Sequence, residues 1–149
     1  MGATIELLGQ YLEEGPPKLN YERFGDNQIE VKMDDDVSFT ISLLRENKLL
    51  VVNSVTYMAQ HTKTASPKSI LRLLDWISDR NYRLEVPVGY WLFNQEYKDL
   101  MFVVRHSIAD GDLTCRQLYD CIGSLVIECQ SCVSEISDLL ADERGVTGV

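Results

Sequence analysis

The sequence lacks any apolar run long enough to cross a membrane. Stretches such as Leu49–Val52 are far shorter than the roughly 20 apolar residues that a membrane-spanning helix needs. The first residues include Glu6 and show no basic segment followed by an apolar one, as a secretory leader would. We therefore expect a cytoplasmic protein with no targeting segment and no membrane contact.

Basic residues are also few. The chain has 14 lysines and arginines against 23 acidic residues, which gives a net charge of −9. The basic residues are not clustered in the sequence, so a phosphate backbone or an anionic membrane surface would repel this chain. We expect neither nucleic acid nor membrane as a partner. The 45% of hydrophobic residues is enough for a folded core, and 149 residues suit a single domain.

Cysteines occur only near the C-terminal end, at Cys115, Cys121, Cys129 and Cys132. All four lie in one predicted helix, which argues against a disulfide framework and for reduced thiols. Cys129 and Cys132 have CxxC spacing, but a redox dithiol of this kind belongs at a helix N-terminus. Here the pair lies deep in the helix on its apolar side, so we predict that both are core residues.

No catalytic or metal-binding motif is present. A zinc site at the CxxC would need two further ligands, and His61 and His106 are the only histidines, each alone on its segment. Asp34–Asp36 lacks the glycine and terminal glutamate of a calcium loop, and we interpret it as a solvated turn. We expect no metal and no cofactor. An enzyme remains as an alternative only if scattered residues such as Asp75, Glu96 and His106 come together.

Hydrophobic spacing predicts an α+β fold in the order α-βββ-α-ββ-α. Three segments have helical spacing: residues 3–14, 66–81 and 114–141. Gly15–Pro17 ends the first helix, Ser66 before Pro67 starts the second, and Thr114 with Gln117 forms a capping box at the third. Strand signals predict a five-stranded antiparallel sheet: alternation at 28–33 and 37–43, a run rich in β-branched and large apolar residues at 49–57, a run from Tyr82 to Phe93 with a break or bulge near Pro87, and the return strand 100–108. We expect one domain, 1–149, with a flexible tail at 142–149.

The aromatic run Tyr90–Phe93 poses the main functional question. In a strand, Tyr90 and Leu92 face one side while Trp91 and Phe93 face the other, so both faces are apolar or amphipathic. Either the strand is covered on both sides, or one face meets a partner. The apolar stripe of the last helix raises the same two possibilities, core or seam.

The order of elements and some residues resemble the YbjN-type family, described as bacterial sensory-transduction regulators. The resemblance rests on a leucine-rich helix that ends near Asn81, on the paired strands after it, and on Asp112–Thr114, which opens a long helix. It implies a fold similar to that of type III secretion chaperones. It further implies a small, acidic, cytoplasmic protein without catalytic activity, which forms a dimer and binds extended segments of other proteins.

We therefore predict a non-catalytic protein-binding module, chaperone-like or regulatory. The alternatives are a structural subunit of a larger assembly and an enzyme with a site not visible in the sequence. We further predict a homodimer, because two copies of one apolar patch can cover each other about a two-fold axis. The predicted binding residues are Tyr90, Trp91 and Phe93 on the aromatic strand, with Trp76 on the preceding helix.

Overall fold

The computed structural model describes residues 3–33, 38–55, 62, 64–84, 89–108 and 112–147. These residues form three helices and six strands. In chain order, the elements are α1 Ile5–Glu14, β1 Tyr21–Phe24, β2 Gln28–Lys32, β3 Ser38–Leu44, β4 Leu49–Val55, α2 Pro67–Arg83, β5 Gly89–Asn94, β6 Asp99–Ser107 and α3 Cys115–Thr147. None of these helices combines the length and the apolar character needed to cross a bilayer.

The six strands form one sheet in the order β1-β2-β3-β4-β6-β5, with every neighbouring pair antiparallel. The first four strands follow one another as hairpins. After α2 the chain returns as β5, which forms the far edge, and β6 pairs between β5 and β4. The two edges of the sheet are therefore β1 and β5.

The capping signals in the sequence set the helix ends. The Thr114 hydroxyl accepts a hydrogen bond from the Gln117 N–H at 3.1 Å, and the Gln117 side chain accepts one from the Thr114 N–H at 2.9 Å. This reciprocal pair satisfies two backbone donors at the start of α3. Ser66 caps α2 ahead of Pro67. Gly15 ends α1 with a positive φ of 66°, a conformation that glycine adopts without steric cost.

The helices pack on one face of the sheet, which we call the covered face. Helix α3 lies over β4 and β6, with α1 on one side of it and α2, above β5, on the other. Alternate strand residues point into this core because successive side chains of a strand face opposite ways. The strand residues that fill it are Ile29, Val31, Phe39, Ile41, Leu43, Leu50, Val52, Trp91, Phe93, Leu100, Phe102 and Val104. The apolar stripe of α3 packs against them, so this stripe belongs to the core.

The structure corrects the predicted strands at two places. The sheet has six strands rather than five, because Tyr21–Phe24 forms the edge strand β1. Only Tyr21 is partly buried there, so the segment shows no alternation of apolar and polar residues. The strand predicted from Tyr82 is also wrong at its start. Tyr82 lies in the last turn of α2, which continues to Arg83.

Other boundaries differ less. Helix α3 continues to Thr147, past the expected end near residue 141. Strand β4 is described as far as Val55, so the predicted residues 56 and 57 lie outside the described part of the chain. The Asp34–Asp36 turn, His61 and Pro87 lie outside it as well. The single domain with a flexible tail at 142–149 stays a prediction.

Candidate protein-binding surface

Strand β5 separates the predicted binding residues between its two faces. Trp91 is 4% exposed and Phe93 9%, because both point into the core beneath the helices. Leu92 points the other way and is 45% exposed, and Tyr90 lies half-buried on the same side. Trp76 on α2 is half-buried against the core. Of the four predicted residues, only Tyr90 therefore lies on the sheet face away from the helices, and the binding role of all four stays a prediction.

The two tryptophans form an aromatic cluster under α2. The Trp76 and Trp91 rings meet edge to face with centroids 5.3 Å apart, and Trp91 also packs on Phe102 at 5.3 Å. Each indole N–H donates to a carboxylate of α3, Trp76 to Glu135 and Trp91 to Glu128, both at 2.8 Å. The cluster therefore joins α2, β5 and α3 at one point, and it fills space rather than offering a surface.

Glu128 is a buried carboxylate, 5% exposed, at the centre of this junction. Arg80 of α2 binds it with two hydrogen bonds of 2.7 and 2.8 Å, and the Cys132 thiol donates to it at 3.4 Å. Burial alone raises the pKa of Glu128. The hydrogen bonds from Arg80 and Trp91 outweigh that effect and hold the pKa below its usual value. Because its oxygens already accept these bonds, Glu128 acts as a clamp between helices.

The face of the sheet away from the helices, which we call the outer face, carries an apolar region over β4, β6 and β5. Tyr90 lies opposite Val103, and Leu92 lies opposite Met101 across the β5–β6 ladder. On β4, Asn53 lies opposite Val103, and Val51, opposite Arg105, is the diagonal apolar neighbour of Val103. We call this group the apolar patch: Val51, Tyr90, Leu92, Met101 and Val103. Val103, at 5% exposed, is the most buried member of the patch and lies outside the main core.

The rest of the outer face, over β1, β2 and β3, is mostly polar, with two exposed apolar side chains, Phe24 and Leu44, at strand ends. Glu22 and Glu30 lie opposite each other and continue into Thr40, while Lys32 pairs with Ser38. A shallow cavity of about 160 Å³ lies beside Glu22, Glu30 and Lys32. It is below the ~300 Å³ at which small-molecule pockets usually begin. The outer face therefore has an apolar end at β5 and a charged end at β1.

The residues of the enzymatic alternative do not come together. Glu96 lies in the turn between β5 and β6, where Asp99 begins β6. His106 lies near the other end of β6, seven residues beyond Asp99 or about 23 Å at the rise of an extended strand. Asp75 lies on the exposed side of α2. Within the described ranges, no three histidine, cysteine or acidic side chains are grouped so that they could hold a metal ion.

The cysteines lie where the sequence placed them. Cys121, Cys129 and Cys132 are buried on α3 and are not disulfide-bonded. Burial raises the pKa of Cys121 and of Cys129 to about 11, and that of Cys132 to about 12. A thiol with such a pKa is protonated at neutral pH and is a poor nucleophile and metal ligand. The prediction of core cysteines is confirmed for Cys129 and Cys132.

Sequence reasoning missed the Arg80–Glu128 clamp. One signal was available, because Glu128 lies three residues after Leu125 and four before Cys132, on the apolar side of the helix. A charged residue in such a position needs a partner once it is buried. The identity of that partner, on a helix 48 residues earlier, depends on the tertiary fold.

Comparison with known proteins identifies the fold. Neither protein-family models nor curated protein sequences match this chain. Among solved structures, the chain is similar to one in the ExsC–ExsE complex, at 18% identity and a TM-score of 0.58, covering 89% of this chain and 94% of that chain. It is also similar to the Yersinia pestis type III secretion chaperone SycH, solved with a stable fragment of YscM2, at 16% identity, a TM-score of 0.56 and coverages of 83% and 95%.

A third similar structure is the HopA1–SchA chaperone–effector complex, at 9% identity, a TM-score of 0.59 and coverages of 85% and 90%. At these identities, the likeness shows the fold alone. The predicted α+β fold of the type III secretion chaperone kind is therefore confirmed. Membership of the YbjN-type family stays a prediction.

Proposed function

We propose that this chain is a non-catalytic protein-binding module of the chaperone or regulatory-adaptor kind, which works in the cytoplasm as a homodimer and holds an extended segment of another protein. Its fold is that of three chains solved in complex with other proteins. The fold supports the binding of a protein segment, and the observation that carries the homodimer is the apolar patch on the outer face, where Leu92 is 45% exposed beside Tyr90 and Met101. A cluster of apolar side chains on the outside of a sheet marks an interaction surface.

We propose that the apolar patch of one chain contacts the same patch on a second copy of the chain. A net charge of −9 on each copy opposes association, so the contact has to avoid acidic side chains. The acidic pair Glu22 and Glu30 lies at the far end of the outer face, and Arg105 lies opposite Val51. The acidic residue at the margin of the patch is Asp99, two residues before Met101. A two-fold contact centred on the patch keeps the acidic ends of the two copies apart.

Helix α2 lies on the covered face, and its last turn reaches the β5 edge, which borders the patch. Tyr82 is 90% exposed and follows Asn81, which hydrogen-bonds to Trp91 of β5. The predicted interface is therefore revised. Tyr90 and Leu92 supply the contact, Tyr82 borders it, and Trp91 with Trp76 supports it from inside.

The dimer is tested with two matched variants. Leu92→Asp places a charge in the apolar patch, and Leu44→Asp places the same charge at a leucine of similar exposure, 40%, on β3 of the same face, outside the patch and opposite Leu49. In sedimentation velocity at micromolar concentration, we expect the parent and Leu44→Asp at twice the chain mass of 17.0 kDa, and Leu92→Asp at the chain mass. A parent that stays monomeric, or two variants that behave alike, would contradict the assignment.

Partner binding needs a separate experiment. Proteins retained by the immobilised chain from an extract of the native host provide candidates, and unstructured segments of each candidate are then synthesised. We expect one such segment to bind in isothermal titration with a negative heat-capacity change, because apolar surface is buried. Binding that requires the folded candidate, with no affinity for any extended segment, would contradict a chaperone-like role.

A further inference from the structure

Strand β5 is an edge strand, so its outward backbone groups are open to a further strand unless something covers them. Trp91 lies opposite Phe102 in the β5–β6 ladder. The Phe102 N–H points toward β4, where it donates to the Ser54 hydroxyl at 2.8 Å. In an antiparallel ladder, such a pair turns its backbone groups away from each other, so the N–H and C=O of Trp91 point off the sheet.

The Asn81 side chain occupies this outward position. Its amide oxygen accepts from the Trp91 N–H at 2.6 Å, and its amide nitrogen donates to the Trp91 C=O at 3.0 Å. A primary amide presents one acceptor and donors side by side, which are the groups that the backbone of a neighbouring strand would offer. Asn81 follows Arg80, and the bidentate Arg80–Glu128 contact fixes this turn of α2 against α3.

We propose that Asn81 is an edge-blocking residue that prevents a β-strand of a second copy of this chain from adding to β5. The side chain takes the central pair of outward hydrogen bonds on a six-residue strand, which leaves too little free edge for a ladder. Within the described part of the chain, the outward backbone of β1 has no equivalent side-chain pair, so the two edges are unequal. The homodimer proposed above is then a contact between side chains of two outer faces and not a continuous twelve-stranded sheet.

The test is Asn81→Ala, with Ser54→Ala as the matched control. Both variants remove a side-chain partner of the backbone in the same cross-strand row, but Ser54 lies inside the sheet and its loss opens no edge. At low concentration, we expect the Trp91 amide of Asn81→Ala to exchange with solvent about tenfold faster, as loss of its hydrogen bond implies. At high concentration, we expect Asn81→Ala to exceed the parent's mass in sedimentation, and Ser54→Ala to match it.

Asn81→Asp covers the case in which the alanine variant does not fold. It keeps an acceptor for the Trp91 N–H but sets an oxygen against the Trp91 carbonyl, so it should associate beyond the parent and less than Asn81→Ala. If the Asn81 variants show faster exchange of the Trp91 amide but do not associate more than the parent, the proposal is overturned, because Asn81 would then only stabilise the local fold. Equal association by Ser54→Ala would overturn it as well, because general instability would explain the result.

Discussion

The Arg80–Glu128 clamp offers the sharpest test of the energetics of this fold. In an Arg80→Met variant, the side chain keeps most of its length, but Glu128 remains 5% exposed without its cation. Its remaining donors are the Trp91 indole and the Cys132 thiol. Removing one partner of a buried ion pair typically costs about 3–5 kcal/mol because the other charge is left uncompensated. We expect Arg80→Met to lose that much at pH 7.

Removing the charge of Glu128 instead should lower the free energy of unfolding by less. In Glu128→Gln, the stranded group is Arg80, whose side chain is 32% exposed and can be hydrated in part. The glutamine still offers one acceptor of similar reach, so we expect a loss of about 1–3 kcal/mol. In the double variant, neither charge is stranded, so its loss should be smaller than the sum of the two single losses.

The pH dependence of stability tests whether the loss in Arg80→Met comes from the charge on Glu128. In the parent, the folded pKa of Glu128 lies below its unfolded value, so its contribution to stability is present above the unfolded pKa and is lost as the pH falls through the folded pKa. In Arg80→Met, desolvation opposes ionisation without the arginine, and the folded pKa shifts upward. The stability deficit of the variant should therefore be small in acid and grow as the pH rises toward 7.

Urea unfolding at a fixed protein concentration measures these differences. The chain has two tryptophans, and both lie in the cluster beside Glu128, so their fluorescence reports this junction directly. Far-UV circular dichroism of the same samples checks that the whole fold is lost in one transition. A deficit for Arg80→Met below about 1 kcal/mol at pH 7, or one that does not change with pH, would refute the reasoning from an uncompensated buried charge.

Two further predictions concern the core. Cys121, Cys129 and Cys132 are buried and their pKa values are raised, so a short alkylation of the native protein should label Cys115 alone, and denaturation should expose all four cysteines. Mass spectrometry counts the adducts. Rapid native labelling of Cys129 and Cys132 would contradict their core role. A Cβ at Gly89 would lie 2.5 Å from Cζ of Phe102, so Gly89→Ala should lower the free energy of unfolding by about 1–3 kcal/mol, as measured by urea unfolding. The control variant Gly25→Asn lies in an open turn with a positive φ of 70° and should lower it by less.

The sequence carried enough information for the parts of the fold in which local pattern and burial agree. Strands β2 and β3 alternate because one face is covered and the other is polar, β4 is rich in β-branched and large apolar residues, and capping residues mark the starts of α2 and α3. The edge strand β1 was missed because only Tyr21 is partly buried, so no alternation arises. The helix-to-strand boundary was misplaced at Tyr82, since its continuation of α2 depends on contacts of Arg80 and Asn81 with distant elements.

The sequence predicted only part of the candidate surface, because the rest depends on contacts between distant elements. Alternation showed that Tyr90 and Leu92 oppose Trp91 and Phe93, but which pair joins the core depends on the position of α2 and on the pairing of Trp91 with Phe102. The apolar patch also needs Met101 and Val103 from β6, which the sequence places opposite Tyr90 and Leu92 only once the register is known.

The hydrogen bonds between the first and last helices have a consequence for how the chain is made. The Tyr11 hydroxyl donates to the Leu113 carbonyl, and the Tyr119 hydroxyl donates to the Pro17 carbonyl, both at 2.7 Å, across more than 100 residues of sequence. A ribosome adds about 5–20 residues per second, so the 33 residues of α3 take about 2–7 s to emerge after the last strand. During that interval, the sheet has no α3 over β4 and β6, and the apolar side chains that α3 covers there, such as Val52 and Phe102, are open to solvent.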